Sequence, residues 1–166
     1  MPPNAAHTSR WRIAEIVFGV PFLAALLLQW RVPASLPRGA FGPAFIVGGA
    51  ALIALGVAIV VLARREFARR GQPTDPGQPT SAIITTGIFA VSRNPLYIGA
   101  ICLLAGVALA ANLPWALALL LPSIAACRLI LIAPEERYLR ATFGDEYRRY
   151  AATVCRWLGR AASRKS

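Results

Sequence analysis

The sequence has little with which to build a metal centre. It holds one histidine, His7, and three cysteines, Cys102, Cys127 and Cys155, with no CxxC pair among them. Cys102 and Cys127 lie in apolar runs, so no zinc or haem site is expected. Charge is scarce too. Charged residues make up 15% of the chain, against about 25% in a soluble domain, and only seven are acidic. Apolar residues reach 57% before glycine is counted, which excludes intrinsic disorder and argues against a water-soluble globular domain. At 166 residues the chain has room for one ordinary domain, read as a single membrane-embedded unit over 1–166.

What is present comes in blocks. The first apolar run, 13–30, has 18 residues and would span about 27 Å as a helix, close to the hydrocarbon thickness. Trp11 and Trp30 bracket it, and Glu15 falls in its first turn at headgroup depth. Val32-Pro33-Ala34 has the spacing of a secretory cleavage site, but the run is longer than the usual leader core of about 7–15 residues. It is therefore read as a membrane helix. The second run, 41–63, carries no charge and includes Gly48, Gly49 and Gly56, small residues that suit close helix packing. The third, 96–133, would make a helix of about 57 Å and so must turn. Asn112-Leu113-Pro114 supplies the turn chemistry. The expected architecture is all-α: four transmembrane helices at 13–30, 41–63, 95–111 and 114–133. The last two form a hairpin, followed by an amphipathic helical region at 134–158.

Basic residues set the orientation. The formal charge is +11, which in a soluble protein would suggest nucleic acid. Beside apolar blocks of this length it fits loops that face anionic lipid, so membrane lipid is the expected partner and nucleic acid is not. Fifteen basic residues flank one side of the four helices, among them Arg64, Arg65, Arg69, Arg70, Arg93 and the C-terminal arginines; Arg31 and Arg38 alone lie on the other. Both termini should then face the cytoplasm, in a multi-pass cytoplasmic or inner membrane protein. Arg128 is the single charge inside the hairpin, near its cytoplasmic end, and is read as snorkelling or as pairing with a carboxylate or an anion.

Two polar clusters lie on that side. In Ser92-Arg93-Asn94-Pro95-Leu96-Tyr97, Pro95 suits the first position of a helix and Asn94 its N-cap. Arg93 would stand at a helix start, where an anion is favoured, with Tyr97 inside the first turn. In the second cluster, Glu135 and Glu136 follow Pro134 in a first turn. Leu139 and Phe143 share a face with Glu135, Tyr147 extends that spacing, and Tyr150 completes an aromatic stripe, with a break near Gly144. If the clusters meet, they offer carboxylates for a cation, a helix start and arginine for an anion, and rings for a flat or sulfonium-bearing group.

These residues carry a resemblance. Thr86-Gly87-Ile88-Phe89 with 92–99, and Glu135-Glu136-Arg137-Tyr138-Leu139 with 143–150, resemble the paired signatures of the isoprenylcysteine carboxyl methyltransferase and phospholipid methyltransferase superfamily. The resemblance covers roughly 85–157. Many members have a histidine where this chain has Asn94, which cannot act as a proton-transfer base. The resemblance implies S-adenosylmethionine (SAM) as cofactor and methyl transfer to a lipophilic or lipidated acceptor. The acceptor classes it leaves open are a carboxylate, a phospholipid amine and a thiol. It implies Arg93 and Glu136 as catalytic residues. It also implies a cofactor pocket drawn from Gly87, Arg93, Asn94, Pro95, Tyr97, Glu135, Glu136, Tyr138, Tyr147 and Tyr150, with no metal. A noncatalytic membrane partner is the rival reading. A dinucleotide reductase has no Gly-rich fingerprint to support it, and a coupled transporter would want a carboxylate at midplane.

Overall fold

In a computed structural model, which describes residues 10–37, 39, 42–71 and 82–159, the chain is mainly helical, with no β-strand among the described residues. Helix α1 is Arg10–Arg31 and α2 is Gly42–Arg69. A short 3-10 turn, Gly87–Ala90, precedes α3 (Pro95–Ala110). Helix α4 (Pro114–Ala126) continues through a π-helical segment, Cys127–Ile132, into α5 (Ala133–Thr153). His7, the turn-rich stretch 72–79, Arg38, the basic residues from Arg160 onward and the side chain of Trp11 lie outside the described residues.

Three stretches are long and apolar enough to cross a membrane, within α1, within α2 and from α4 onward, while α3 has 16 residues. Their outer surfaces carry large apolar side chains: Leu27 is 62% exposed, Val47 68% and Leu121 70%. Water would penalise such faces, whereas lipid tails accept them. The boundaries follow the expected ones closely except in α2, which runs six residues past 63 to Arg69. Arginine and glutamate are good helix formers, and Arg69 in the last turn complements the helix dipole, so the helix does not stop where its apolar run does.

Glycine sets the closest packing. Gly49 and Gly56 lie two turns apart on α2, and Gly99 and Gly106 two turns apart on α3. A Cβ on Gly49 would stand 2.7 Å from the Gly106 carbonyl oxygen, and one on Gly56 2.7 Å from that of Gly99. The helices are therefore antiparallel and in backbone contact. On its other side α3 packs against α4, and α1 lies along α4. Val17 and Phe18 of α1 meet Leu120, Cys127 and Leu131, while Ala25 meets Ala116 and Ala108. The expected hairpin turn is present, with Asn112 at φ 58°. Its amide oxygen accepts the Leu36 N–H at 2.8 Å, and the Trp115 indole donates to Val32 at 2.9 Å, so the 32–37 segment is tied over that end.

The opposite end of the bundle carries the polar residues. Pro134 has no N–H to continue the ladder, and its ring crowds the preceding turn. The chain there widens into the π segment before α5 begins. One extra residue in a turn rotates everything after it by about 100°. Glu135 and Glu136 are thereby turned away from the heading that α4 alone would give them. The expected break in α5 is at Gly144, which takes φ 52°, ψ −119° inside the helix.

The glycine contacts make a direct forecast. Gly56→Ala should force α2 and α3 apart at a cost of about 1–3 kcal/mol. Gly48→Ala, whose Cβ would find only Leu109 Cδ2 at 3.7 Å, should be close to neutral. Thermal melts of the two variants in detergent, side by side with wild type, check the contrast.

Candidate functional site

The two polar clusters meet. Arg93, one residue before the α3 N-cap position, reaches the first turn of α5, where its Nη1 lies 3.2 Å from Glu136 Oε1. The same Nη1 donates to the Tyr147 hydroxyl at 3.0 Å. Glu136 is 6% exposed. Its carboxylate also receives a two-pronged contact from Arg156: Nε donates to Oε1 at 2.9 Å and Nη2 to Oε2 at 2.7 Å. Two guanidiniums therefore share one buried carboxylate.

Arg156 stands in a strap, 154–159, that follows α5 and lies back across the start of α3. The Arg93 N–H donates to the Cys155 carbonyl at 3.2 Å, and the Gly159 N–H to Val91 at 2.9 Å. Asn94 does not cap α3 with its side chain. Its amide Nδ2 donates instead to the Arg156 carbonyl at 3.0 Å, while Ser92 Oγ accepts the Asn94 N–H at 3.0 Å. This corrects the expected capping role. The strap lays the Arg156 carbonyl beside Asn94, and the amide donates to it instead of turning back to the helix start.

A cavity of about 80 Å³ opens beside this joint. Arg93, Asn94, Glu135 and Glu136 line one side; Phe67, Ile83, Ile84 and Phe89 give it an apolar side, and Tyr147 and Tyr150 complete it. Arg93 Nε is buried and has no hydrogen-bond partner. A buried donor of this kind costs free energy unless something accepts from it. Of the expected site residues, Gly87, Pro95, Tyr97 and Tyr138 are not among the lining residues. Tyr97 donates to Glu135 Oε2 at 3.3 Å, so it orients a carboxylate that does line the cavity.

Gly87 has a different task. It takes φ 58°, and a Cβ there would meet Glu66 Oε1 at 2.5 Å. Glu66 is buried at the end of α2 and accepts from Thr86 Oγ1 at 2.9 Å and from Arg69 at 3.1 Å. This latch fixes the 3-10 turn, whose Phe89 carbonyl accepts the Tyr150 hydroxyl at 2.7 Å. Residues missed by reading the sequence are thus Glu66, Ser92 and above all Arg156. Arg156 was one basic residue among many in the C-terminal region, and nothing local singled it out.

The electrostatics fix which groups can move a proton. Burial alone would raise the Glu136 carboxyl, but the Arg156 hydrogen bonds and the charges of Arg93, Arg156 and Arg140 outweigh it and hold the group below the ordinary carboxylate range. Burial pushes the phenols of Tyr147 and Tyr150 upward, with Arg93 opposing in both. At neutral pH the site presents an ionised, doubly engaged Glu136 and two protonated tyrosines. Glu135 is the remaining carboxylate on the cavity wall.

Comparison with known proteins adds the family. A family model described as phospholipid methyltransferase matches residues 44–146, more than half of the chain. An uncharacterized protein of Haemophilus influenzae is 67% identical over 27 residues, which are 16% of this chain and 43% of that protein. The matched stretch thus spans less than half of that relative's length. No solved structure matches. Tyr147, Tyr150 and Arg156 lie beyond the end of the family match.

The ion joint predicts an acid response. Folding lowers the Glu136 pKa, so its contribution is complete above the ordinary value of 4.5 and is lost as pH falls through the folded-state value. Wild type should lose melting temperature as pH falls below the ordinary carboxyl value of 4.5 and through the lower folded-state value. Glu136→Gln should melt lower than wild type at pH 7, and the gap should close on acidification. A gap that is constant with pH would show that the carboxylate's charge contributes nothing.

Proposed function

This chain belongs to the phospholipid methyltransferase family, and from that premise we propose that it is a multi-pass membrane enzyme that transfers the SAM methyl group to a lipophilic acceptor. The observation that carries the proposal is the meeting of Arg93, Glu135 and Glu136 on the wall of one cavity. The residues present fit a cofactor with a zwitterionic end. Arg93 would hold its carboxylate, aided by the positive start of α3. Glu135, steadied by Tyr97, brings a carboxylate to the same wall for its ammonium group. Glu136 faces the same space and fixes Arg93 through the ion pair. Phe67, Phe89 and the two tyrosines supply ring faces and edges for a flat base or a sulfonium.

When bound, SAM supplies an electrophilic methyl carbon: the acceptor bonds to it, the carbon–sulfur bond breaks, and the electron pair returns to sulfur. The protein's share is alignment and exclusion of water. Asn94 is committed to the strap carbonyl and moves no proton. A carboxylate acceptor arrives ionised and needs no base. A thiol or a phospholipid amine would call on Glu135. On this reading α3 is the fourth crossing. Its 16 residues make about 24 Å of helix, short for the hydrocarbon core, and local thinning of the bilayer accommodates it. The polar end, with Arg64, Arg65, Arg69 and Arg70 at the close of α2, faces the cytoplasm of a cytoplasmic or inner membrane.

Calorimetry of the detergent-purified protein tests the proposal. SAM and S-adenosylhomocysteine should bind at micromolar concentration, and both Arg93→Ala and Glu136→Gln should weaken binding by about 2–5 kcal/mol, the usual penalty for truncating one partner of a buried charge pair. No binding to wild type in detergent or in lipid nanodiscs would transfer the weight to a noncatalytic membrane partner. For the orientation, reporters fused to the N- and C-termini should both read as cytoplasmic; an external signal from either end would remove one crossing.

A further inference from the structure

Arg156 lies beyond the family match, yet it pairs with Glu136, a residue that lines the cavity. Both of its contacts go to Glu136, and its own carbonyl is held by Asn94 Nδ2 at 3.0 Å and by Ser92 Oγ at 3.4 Å. Arg93 approaches the same carboxylate at 3.2 Å. One negative and two positive charges therefore stand together. The Arg156 side chain is 29% exposed, so its charge is partly hydrated while it holds the buried Glu136 carboxylate.

We infer that Arg156 is a specificity-determining residue whose charge sets how strongly the site distinguishes the cationic methyl donor from its neutral demethylated product. This rests on the methyltransferase reading above. SAM and S-adenosylhomocysteine share the carboxylate, the ammonium group and the adenosine, so contacts to those parts cancel in the ratio of their affinities. They differ by the methyl group and one positive charge, on sulfur. A fixed cation beside the cavity weakens the sulfonium form relative to the thioether, and a fixed anion does the reverse. Glu136 alone would favour the charged donor, and Arg156 offsets it. The Glu136–Arg156 pair taken together therefore contributes little net charge to the ratio. A residue that merely held the strap in place would change both affinities together and leave the ratio alone.

The test is calorimetric binding of both molecules to wild type, R156Q, E136Q and the double variant E136Q/R156Q, at one salt concentration. R156Q should shift the affinity ratio toward SAM by on the order of tenfold, the scale expected of one partly screened unit charge beside the cavity. E136Q should shift it toward S-adenosylhomocysteine, and the double variant should return it near the wild-type value. Should R156Q fail to fold, E136Q against E136Q/R156Q carries the same comparison, because the double variant removes both members of the Glu136–Arg156 pair. An unchanged ratio in R156Q, with both affinities reduced alike, would overturn the inference and leave Arg156 a structural strap residue. Failure of wild type to bind either molecule is a different result: it would overturn the methyltransferase reading and this inference with it.

Discussion

The joint of Glu136 with Arg93 and Arg156 is the contact on which the polar end of the molecule depends. A buried carboxylate is costly to desolvate, and removing either partner of such a pair typically costs about 3–5 kcal/mol, because the other is left uncompensated. Here one carboxylate ties three separate stretches: the approach to α3, the first turn of α5, and the strap beyond α5. Each stretch alone has little to hold it. The segment before α3 has no regular structure beyond one 3-10 turn, and the strap has none. The ion joint, with the backbone bonds from Arg93 to Cys155 and from Gly159 to Val91, makes them one wall.

The joint works only because the helices below it are positioned by a different kind of force. Inside the apolar blocks the only charges are Glu15 and Arg128, and lipid tails are no worse a solvent for leucine than another helix is. Close backbone approach at Gly49, Gly56, Gly99 and Gly106 supplies the specificity there. That contact fixes the start of α3 against the end of α2, which carries Glu66. The Glu66 latch then sets the turn at Gly87, and Phe89 from that turn receives the Tyr150 hydroxyl. Packing in the membrane and polar contacts at its edge therefore form one chain of dependence that ends on the aromatic side of the cavity.

Much of this was legible in the sequence, for identifiable reasons. The apolar blocks, the turn at Asn112, the break at Gly144 and the aromatic stripe of α5 are all local patterns. Periodicity and backbone preference report them directly. The Arg93 and Glu135–Glu136 clusters were legible as polar groups at the same edge of one hairpin, where they could meet. Three features were not legible. Asn94 looks like a helix cap, and only the strap lying over it shows where its amide goes. Gly87 reads as part of a site signature, whereas its nearest constraint is the carboxylate of Glu66, on another helix. Arg156 reads as one more basic residue near a membrane. Its role depends on the strap folding back across α3, a contact that no spacing rule along the chain reports.

The cavity's asymmetry is the last consequence of this arrangement. Its charged side is assembled from groups that must be kept out of hydrocarbon, so it has to stand at a helix end. Its apolar side comes from Phe67, Ile83, Ile84 and Phe89, at the close of α2 and the approach to α3. A charged, water-soluble donor and an apolar acceptor have opposite solvent preferences and would seldom meet in either bulk phase. A site at the boundary lets each arrive from the phase that dissolves it. On the methyltransferase reading, the energetic contribution of the fold is then to bring together two reactants that water and lipid would keep apart, with the ion joint holding the polar half rigid while the acceptor varies.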